Sequence, residues 1–451
     1  MGKSQLLYKA LEEYKNLNRI SFHTPGHKNV AGDLFSEIFN FDFTELPDTD
    51  SLYEANGVIL NSEKAMSNVF GTRMTFFSAG GCTLCIQAMI RQVSKGKKKI
   101  IIGRTIHKSA INTIALLGLD PVFVMPRENA GPFLPGRICA EDVRKTLEEH
   151  KDACALYVTS PDYFGVISDI SSISKECKKF GIPLIVDNAH GTHLKFLSKD
   201  IHPISLGATM SADSAHKTLP VLTGGALLQV NDEEYCDGVR ESMSLFGSTS
   251  PSYPVMASLD LCRSFIESCG YEMFAKLERR VRELTDITES LGFRSPKGQC
   301  DPTRISLCAD AMGISGTEIA EVLRKNGIEP EYANKSYVVL IPTPMNSDGD
   351  FERLIKILKG LKESFNGKTL EKTLTYFESF RRIPEKVMLP RDAMFAEHET
   401  VKLVDSVNRI CCETIAPCPP GIPVVMPGER ISYEVVEFLK EYRISFIKVL
   451  K

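Results

Sequence analysis

The chain has 451 residues, 43% of them hydrophobic and 25% charged, the ordinary make-up of a globular protein with a large core and roughly three domain-sized units. A net charge of -3 provides no basic field for nucleic acid, and no apolar run nears the roughly 18 residues of a membrane span, so neither partner is expected. Thirteen cysteines with no secretory leader predict a reducing, cytoplasmic setting rather than a disulfide frame.

Residues 4–18 predict a helix with Leu6, Leu7, Ala10, Leu11 and Tyr14 on one face. Gly2 fits the start of a myristoylation pattern, but Leu6 stands where Ser or Thr is wanted. A polar stretch follows, Phe22-His-Thr-Pro-Gly-His27. His23 and His27 have the spacing of a helical zinc pair, but Pro25-Gly26 breaks the helix, and a loop at the mouth of an active site fits better. The centre then alternates. Apolar runs at 99–102, 122–125, 153–159, 183–186 and 225–230 predict strands, and stretches near 83–95, 107–118, 140–150 and 171–180 predict helices between them. Buried strands separated by helices argue for an α/β fold with a mostly parallel sheet. A long helical region at 253–290 leads to a smaller α/β unit with strands at Arg304–Leu307 and Tyr337–Ile341 around a helix at 316–326. The end of the chain is richer in proline. The reading is therefore an N-terminal helix and arm over 1–40, a large α/β domain over 41–270, a small α/β domain over 271–365 and a C-terminal domain over 366–451.

Two stretches carry the chemistry. Ser211-Ala-Asp-Ser-Ala-His-Lys-Thr-Leu-Pro220 leads to Gly224-Gly225 and places Lys217 in a polar turn between apolar runs. Upstream, the run Ile182-Pro-Leu-Ile-Val186 ends in Asp187-Asn-Ala-His190. An aspartate at one strand end and a lysine after a later strand make the pairing that a pyridoxal 5'-phosphate (PLP) site requires. The lysine binds the aldehyde, and the aspartate pairs with the pyridinium nitrogen. On this reading 41–270 is the PLP-binding domain. Read singly, Lys217 is a solvated surface charge and Asp187 a helix cap; together they favour the cofactor.

Ser78-Ala-Gly-Gly-Cys-Thr-Leu-Cys85 turns small residues into a helix N-terminus, the form of a phosphate cradle or of a plain strand–helix connection. Beside Lys217, the cradle reading assigns Gly81, Cys82 and Thr83 to the phosphate, with Ser214 as a further donor. Cys82 and Cys85 also form a C-x-x-C, but no second pair or spaced histidines accompany it, and adjacent Cys411-Cys412 make a poor clip, so no metal is expected. His107 follows the strand Ile100-Ile-Ile-Gly103 and is either a surface histidine or a ring stacked on the pyridine. His190 and His193 lie just past Asp187, within reach of the cofactor or its substrate.

These stretches resemble the Orn/Lys/Arg decarboxylase family of fold-type-I PLP enzymes in its shorter bacterial form. The resemblance rests on His23-Thr-Pro-Gly-His27, Phe43-Thr-Glu-Leu-Pro47, Asp187-Asn-Ala-His-Gly191, Ser214-Ala-His-Lys-Thr-Leu219, Ser248-Thr-Ser-Pro-Ser-Tyr253, Met256-Ala-Ser-Leu-Asp260, Pro419-Pro-Gly-Ile-Pro423 and Pro427-Gly-Glu429. It implies an aspartate aminotransferase-like large domain, Lys217 as the attachment lysine, Asp187 as the pyridinium partner, His107 as the stacking ring and His216 beside the reacting carbon. It also implies that Ser248, Thr249 or Ser250 reaches the phosphate of a partner subunit, which makes a homodimer with a shared site, or a higher assembly of it. Two stretches depart from the family: Gly80-Gly-Cys-Thr83 replaces a hydroxyl-rich run, and Asp48-Thr-Asp-Ser-Leu-Tyr53 replaces Gly-Leu-Asp-Asp-Leu-His.

The implied reaction is decarboxylation of arginine, lysine or ornithine to the amine and CO2, with His216 or Lys217 protonating the α-carbon. Glu45, Asp48, Asp50 and Glu54 are candidates to meet the substrate's cationic end, or else form a solvated acidic loop. The alternatives are a PLP-dependent aminotransferase, with Arg304 gripping the α-carboxylate, and a non-catalytic PLP-binding regulatory homologue. A desulfurase would need a mobile cysteine, and Cys82 is in the wrong loop.

Overall fold

The computed structural model describes residues 19–22, 45, 49–127, 134, 136–364, 384–417 and 422–451. The expected helix at 4–18, His23, His27, Asp48 and Pro419-Pro-Gly421 lie outside them. A short strand, β1 (Ile20–Phe22), and a helix (Val58–Phe70) precede the strands of the central sheet: β2 (Met74–Ser78), β3 (Lys99–Gly103), β4 (Asp120–Val124), β5 (Leu156–Thr159), β6 (Leu184–Asp187), β7 (Met210–Asp213) and β8 (Ala226–Val230). They lie side by side in the order β2-β8-β7-β6-β5-β3-β4. Neighbours from β7 through β4 are parallel, and β8 runs antiparallel to both β7 and β2. The link from β7 to β8 contains a single helical turn, Ala215–Thr218, too little to cross the sheet, so β8 returns beside β7 in the opposite sense.

Strand geometry explains the unbroken apolar runs. Successive side chains point to opposite faces, and both faces of this sheet are covered. Ile100 and Ile102 pack with residues of the helices Gly81–Val93 and Lys108–Leu117, whereas Ile101 packs with residues of Ala140–Glu149 and Ile170–Phe180. Leu184 and Val186 likewise face away from Ile185. The parallel strands bring the carboxyl ends of β3, β5, β6 and β7 to one edge, where open α/β sheets hold ligands.

Several elements escape the periodicity, and two of them show why. The helix Val58–Phe70 opens at Gly57 with no side-chain cap in the usual place, because its cap is supplied from Asp50, well upstream. Strand β7, Met-Ser-Ala-Asp, is fully buried but holds only one large apolar residue, so no apolar run marks it.

The helical region expected at 253–290 comprises Tyr253–Phe265, a π-helical turn at Ile266–Gly270 and Tyr271–Leu291. Beyond it lie β9 (Ile305–Cys308), β10 (Ile328–Pro330), β11 (Tyr332–Ala333) and β12 (Tyr337–Leu340). β12 pairs antiparallel with β11 and β9, and β10 pairs in parallel with β1. The helix Gly316–Lys325 starts with a capping box, Ser315 to Glu318. One core joins this unit to the long helices: Phe22, Phe274, Leu277, Val281, Leu307, Leu323, Val338 and Leu354 are all buried in it.

A separate core holds the C-terminal end together, with Leu403, Cys411, Val425, Val435, Leu439 and Val449 packed around the antiparallel pair β13 (His398–Lys402) and β14 (Phe446–Leu450). One tie to the central sheet is apolar, the buried Met426 packing in the core of the sheet and its helices, and another is ionic. The Arg104 guanidinium, just past β3, grips the Glu429 carboxylate at 2.5 and 2.9 Å, with both side chains only 2% exposed. Among the described residues no helix is long and apolar enough to cross a membrane.

Candidate active site

The strand ends meet at a cavity of about 390 Å³. Lys217 reaches it from the helical turn between β7 and β8, and its Nζ lies 3.0 Å from Nε2 of His190, within hydrogen-bond distance. Burial pulls the lysine below its ordinary pKa, against the opposing pull of Cys82, Asp187 and Glu331. Burial also drives His190 well below the usual histidine value, helped by the Lys217 and Arg304 charges. The ring is therefore neutral, and its Nδ1 faces Arg304 Nη2 at 3.5 Å.

Asp187 ends β6 and faces the same cavity. One oxygen accepts from the Tyr157 hydroxyl at 2.9 Å and the other from the Ala189 N–H at 3.1 Å. Tyr157 comes from β5. Burial first, then the Asp187 charge, hold its phenol well above the ordinary pKa, so it stays a donor. Sequence reasoning missed Tyr157; its only signal was a polar-tipped ring inside an otherwise buried aliphatic strand.

The glycine turn lies across the cavity. Gly81 adopts φ +70°, a region that side-chain-bearing residues rarely enter. Its N–H donates to the Gly224 carbonyl at 2.8 Å, which joins this turn to the one after Lys217. Ser78 Oγ braces the turn, accepting from Gly80 N and donating to Gly81 O. No side chain caps the helix Gly81–Val93, so the N–H groups that follow Gly81 in its first turn suit an anion. Cys82, Thr83 and Ser214 line the same wall. Burial pushes the Cys82 thiol well above its ordinary pKa, so it stays a neutral thiol.

His107 caps the helix Lys108–Leu117: its Nδ1 accepts from the Ser109 N–H at 3.3 Å and meets Ser109 Oγ at 2.8 Å. The ring also walls the cavity, and burial lowers its pKa. His216 places Nδ1 at 2.9 Å from the Gly225 carbonyl, which requires the proton on Nδ1 and leaves Nε2 bare; burial lowers its pKa too.

Lys217, Asp187, His107, His190, His216, Gly81, Cys82, Thr83 and Ser214 thus share one cavity. Thr249 and Ser250 do not; they are exposed in a separate loop. His193 turns away to Asp301 and Thr303, at 3.1 and 2.8 Å. Arg304, buried, donates to the His190 carbonyl at 3.2 Å, while its Nε and Nη1 make no hydrogen bond among the described residues. Asp50 is consumed as a cap: its carboxylate accepts from the N–H groups of Ser51, Asn56, Gly57, Ile59 and Leu60. Glu54 is exposed. The cavity also takes Thr105, Thr159, Asp162, Tyr163 and, from the C-terminal end, Ile422, none of which the sequence pointed to. Thr159 and Asp162 sit at and just past the carboxyl end of β5, a position that could have flagged them. Ile422 belongs to the Pro419-Pro-Gly-Ile-Pro423 stretch that carries part of the family resemblance, but nothing local gives it a place at the cavity.

The donor set fits PLP: an amine lowered by burial, a carboxylate braced by a phenol, an uncapped helix start and a cavity of ligand size. Comparison with known proteins agrees. The sequence profile of the Orn/Lys/Arg decarboxylase major domain matches residues 6–291, and that of the Orn/Lys/Arg decarboxylase C-terminal domain matches 373–448. An arginine decarboxylase of Bacillus subtilis (strain 168) is 30% identical over 457 residues, covering 96% of this chain and 92% of that protein. The constitutive lysine decarboxylase of Escherichia coli (strain K12) is 23% identical, covering 96% of this chain and 76% of that protein. The crystal structure of Francisella novicida lysine decarboxylase superposes with a TM-score of 0.80 at 18% identity, over 92% of this chain and 75% of that one. An alanine–glyoxylate aminotransferase from Nostoc sp. shares the fold at a TM-score of 0.58 and 16% identity, over 76% of this chain and 95% of that one. With a fold-type-I sheet and two domain profiles matched in order, the chain belongs to the Orn/Lys/Arg decarboxylase family.

Proposed function

We propose that the protein is a PLP-dependent decarboxylase that converts a basic amino acid, arginine, lysine or ornithine, to its amine and CO2. The observation that carries this reading is the Lys217 amine, lowered by burial and bonded to His190 inside the cavity that Asp187 closes. The names of the relatives, arginine and lysine decarboxylases, support the substrate class.

When bound, PLP would supply an electron sink for the pair left behind by the departing carboxylate. The chain does the rest. Lys217 provides the covalent attachment, Asp187 the negative partner for the ring nitrogen, and Gly81, Cys82, Thr83 and Ser214 the phosphate contacts. His107 covers one face of the site. The dry walls favour loss of a charged carboxylate as a neutral gas. Lys217, its pKa lowered by burial, is the group placed to return a proton to the α-carbon. His216 carries its proton on Nδ1, in the bond to Gly225, so its Nε2 is an acceptor rather than the donor.

Thr249 and Ser250 suit a homodimer in which each exposed loop reaches its partner's phosphate. A second reading, amino-group transfer, draws on Arg304, whose guanidinium nitrogens without hydrogen bonds would suit an α-carboxylate. Incubating the pure protein with PLP and a panel of amino acids, and assaying CO2 and keto acid separately, decides between them. CO2 from a basic amino acid is expected. Keto acid would transfer the assignment to the aminotransferase, and neither product would leave a binding protein.

A further inference from the structure

A basic amino acid carries a second positive charge into the cavity, and burying that charge without an anion is strongly unfavourable. Of the acidic residues suspected in the sequence, Asp48 lies outside the described residues, Glu45 is not among those lining the cavity, Asp50 has no oxygen to spare and Glu54 faces solvent. Among the described residues two aspartates line the cavity, and Asp187 is committed to Tyr157, Ala189 and the proposed cofactor nitrogen. The other is Asp162, in the loop after β5.

Asp162 is 6% exposed. Its Oδ1 accepts from the N–H groups of Phe164 and Val166 at 2.9 and 2.8 Å, while Oδ2 is buried with no partner among the described residues. The turn that aims it is rigid. Gly165 sits at φ +91°, packed so closely on Arg304 that a Cβ there would meet Arg304 Cγ at 2.7 Å, and the Gly165 N–H closes the turn on the Asp162 carbonyl at 3.0 Å. The field of Arg304 acts on Asp162, but the guanidinium spends its hydrogen bond on the His190 carbonyl. Burial pushes the Asp162 carboxyl up to about 7, against the pull of the two N–H donors and Arg304; an arriving cation would favour the ionised form.

We infer that Asp162 is the specificity residue of this site, its Oδ2 receiving the side-chain cation of the substrate in a charge-assisted hydrogen bond while Oδ1 holds the turn. The inference rests on the proposed decarboxylase reading of the cavity. With Oδ1 already accepting twice, one oxygen remains. That suits an ammonium ion better than the two-pronged fork of a guanidinium, so lysine or ornithine is preferred to arginine.

The test separates charge recognition from catalysis. The PLP-loaded wild-type protein and Asp162→Asn, which keeps an oxygen for the turn, are titrated with cadaverine and with n-pentylamine, which lacks the second ammonium. The wild type is expected to bind cadaverine on the order of 10–100-fold more tightly than n-pentylamine, and the variant to bind the two alike with its n-pentylamine affinity unchanged. A variant that keeps the preference overturns the inference. So does a wild type that shows none, which needs no variant to fold. Tighter binding of agmatine than of cadaverine to the wild type would contradict the single-oxygen argument. CO2 release from lysine and ornithine is followed in the same samples. A diamine preference without CO2 would sink the decarboxylase reading and leave Asp162 in place, whereas CO2 release with an unchanged KM in Asp162→Asn would do the reverse.

Discussion

Asp301 and His193 hold the residue scale together. The buried Asp301 carboxylate accepts from His193 Nε2 and from the N–H and hydroxyl of Thr303. Burial alone would raise its pKa, but the His193 ring, the Arg304 charge and the Thr303 N–H more than reverse that and hold it at about 2, against 3.8 unfolded. The native carboxyl thus binds its proton less tightly than the unfolded one. Its contribution is complete above the unfolded value and is lost as pH falls through about 2, a loss of about 2 kcal/mol. Urea midpoints measured across the acid range should fall along that limb in the wild type and flatten in Asp301→Asn; parallel curves would refute the assignment. The residue scale is also where sequence reasoning was weakest. Asp50 and Asp162 are both aspartates in loops. One answers backbone N–H groups and the other opens on a cavity, and only the path of the chain around them decides which.

Between elements, the Arg104–Glu429 pair is a buried ionic link from the C-terminal core to the sheet. Arg104 is followed by Thr105 and then His107, both at the cavity wall, while Glu429 is seven residues past Ile422, which touches the same cavity. Glu429→Ala would strand a buried guanidinium, and the expected cost is about 3–5 kcal/mol, read as a lowered thermal midpoint. Glu429→Gln, which keeps one acceptor, should lose less. Equal midpoints for all three proteins would mean that solvent reaches Arg104. Elements with strong apolar periodicity, β3, β6 and the helix Ile170–Phe180 among them, were legible to within a residue or two, because burial on both faces imposes long aliphatic runs. The helix Val58–Phe70 and strand β7 were not. One takes its cap from a distance, and the other is packed with small residues, so neither leaves a local signature.

For the molecule as a whole, the parallel sheet explains why a site scattered from Gly81 to Lys217 was readable at all: each contribution lies just past a strand end, and strand ends share one edge. The loop at Ser248–Ser250 is different, since it is exposed and contributes nothing to its own chain's cavity. If it completes a partner's phosphate site, the double variant Thr249→Ala, Ser250→Ala should bind PLP about 10-fold more weakly, about 1.4 kcal/mol, with its dimer intact by sedimentation. Unchanged affinity would confine the phosphate site to one chain. The central claim is more direct still. The protein, loaded with PLP and treated with borohydride, should yield on proteolysis one peptide bearing the coenzyme, with the modification on Lys217. A modification on any other lysine, or none at all, would contradict the account.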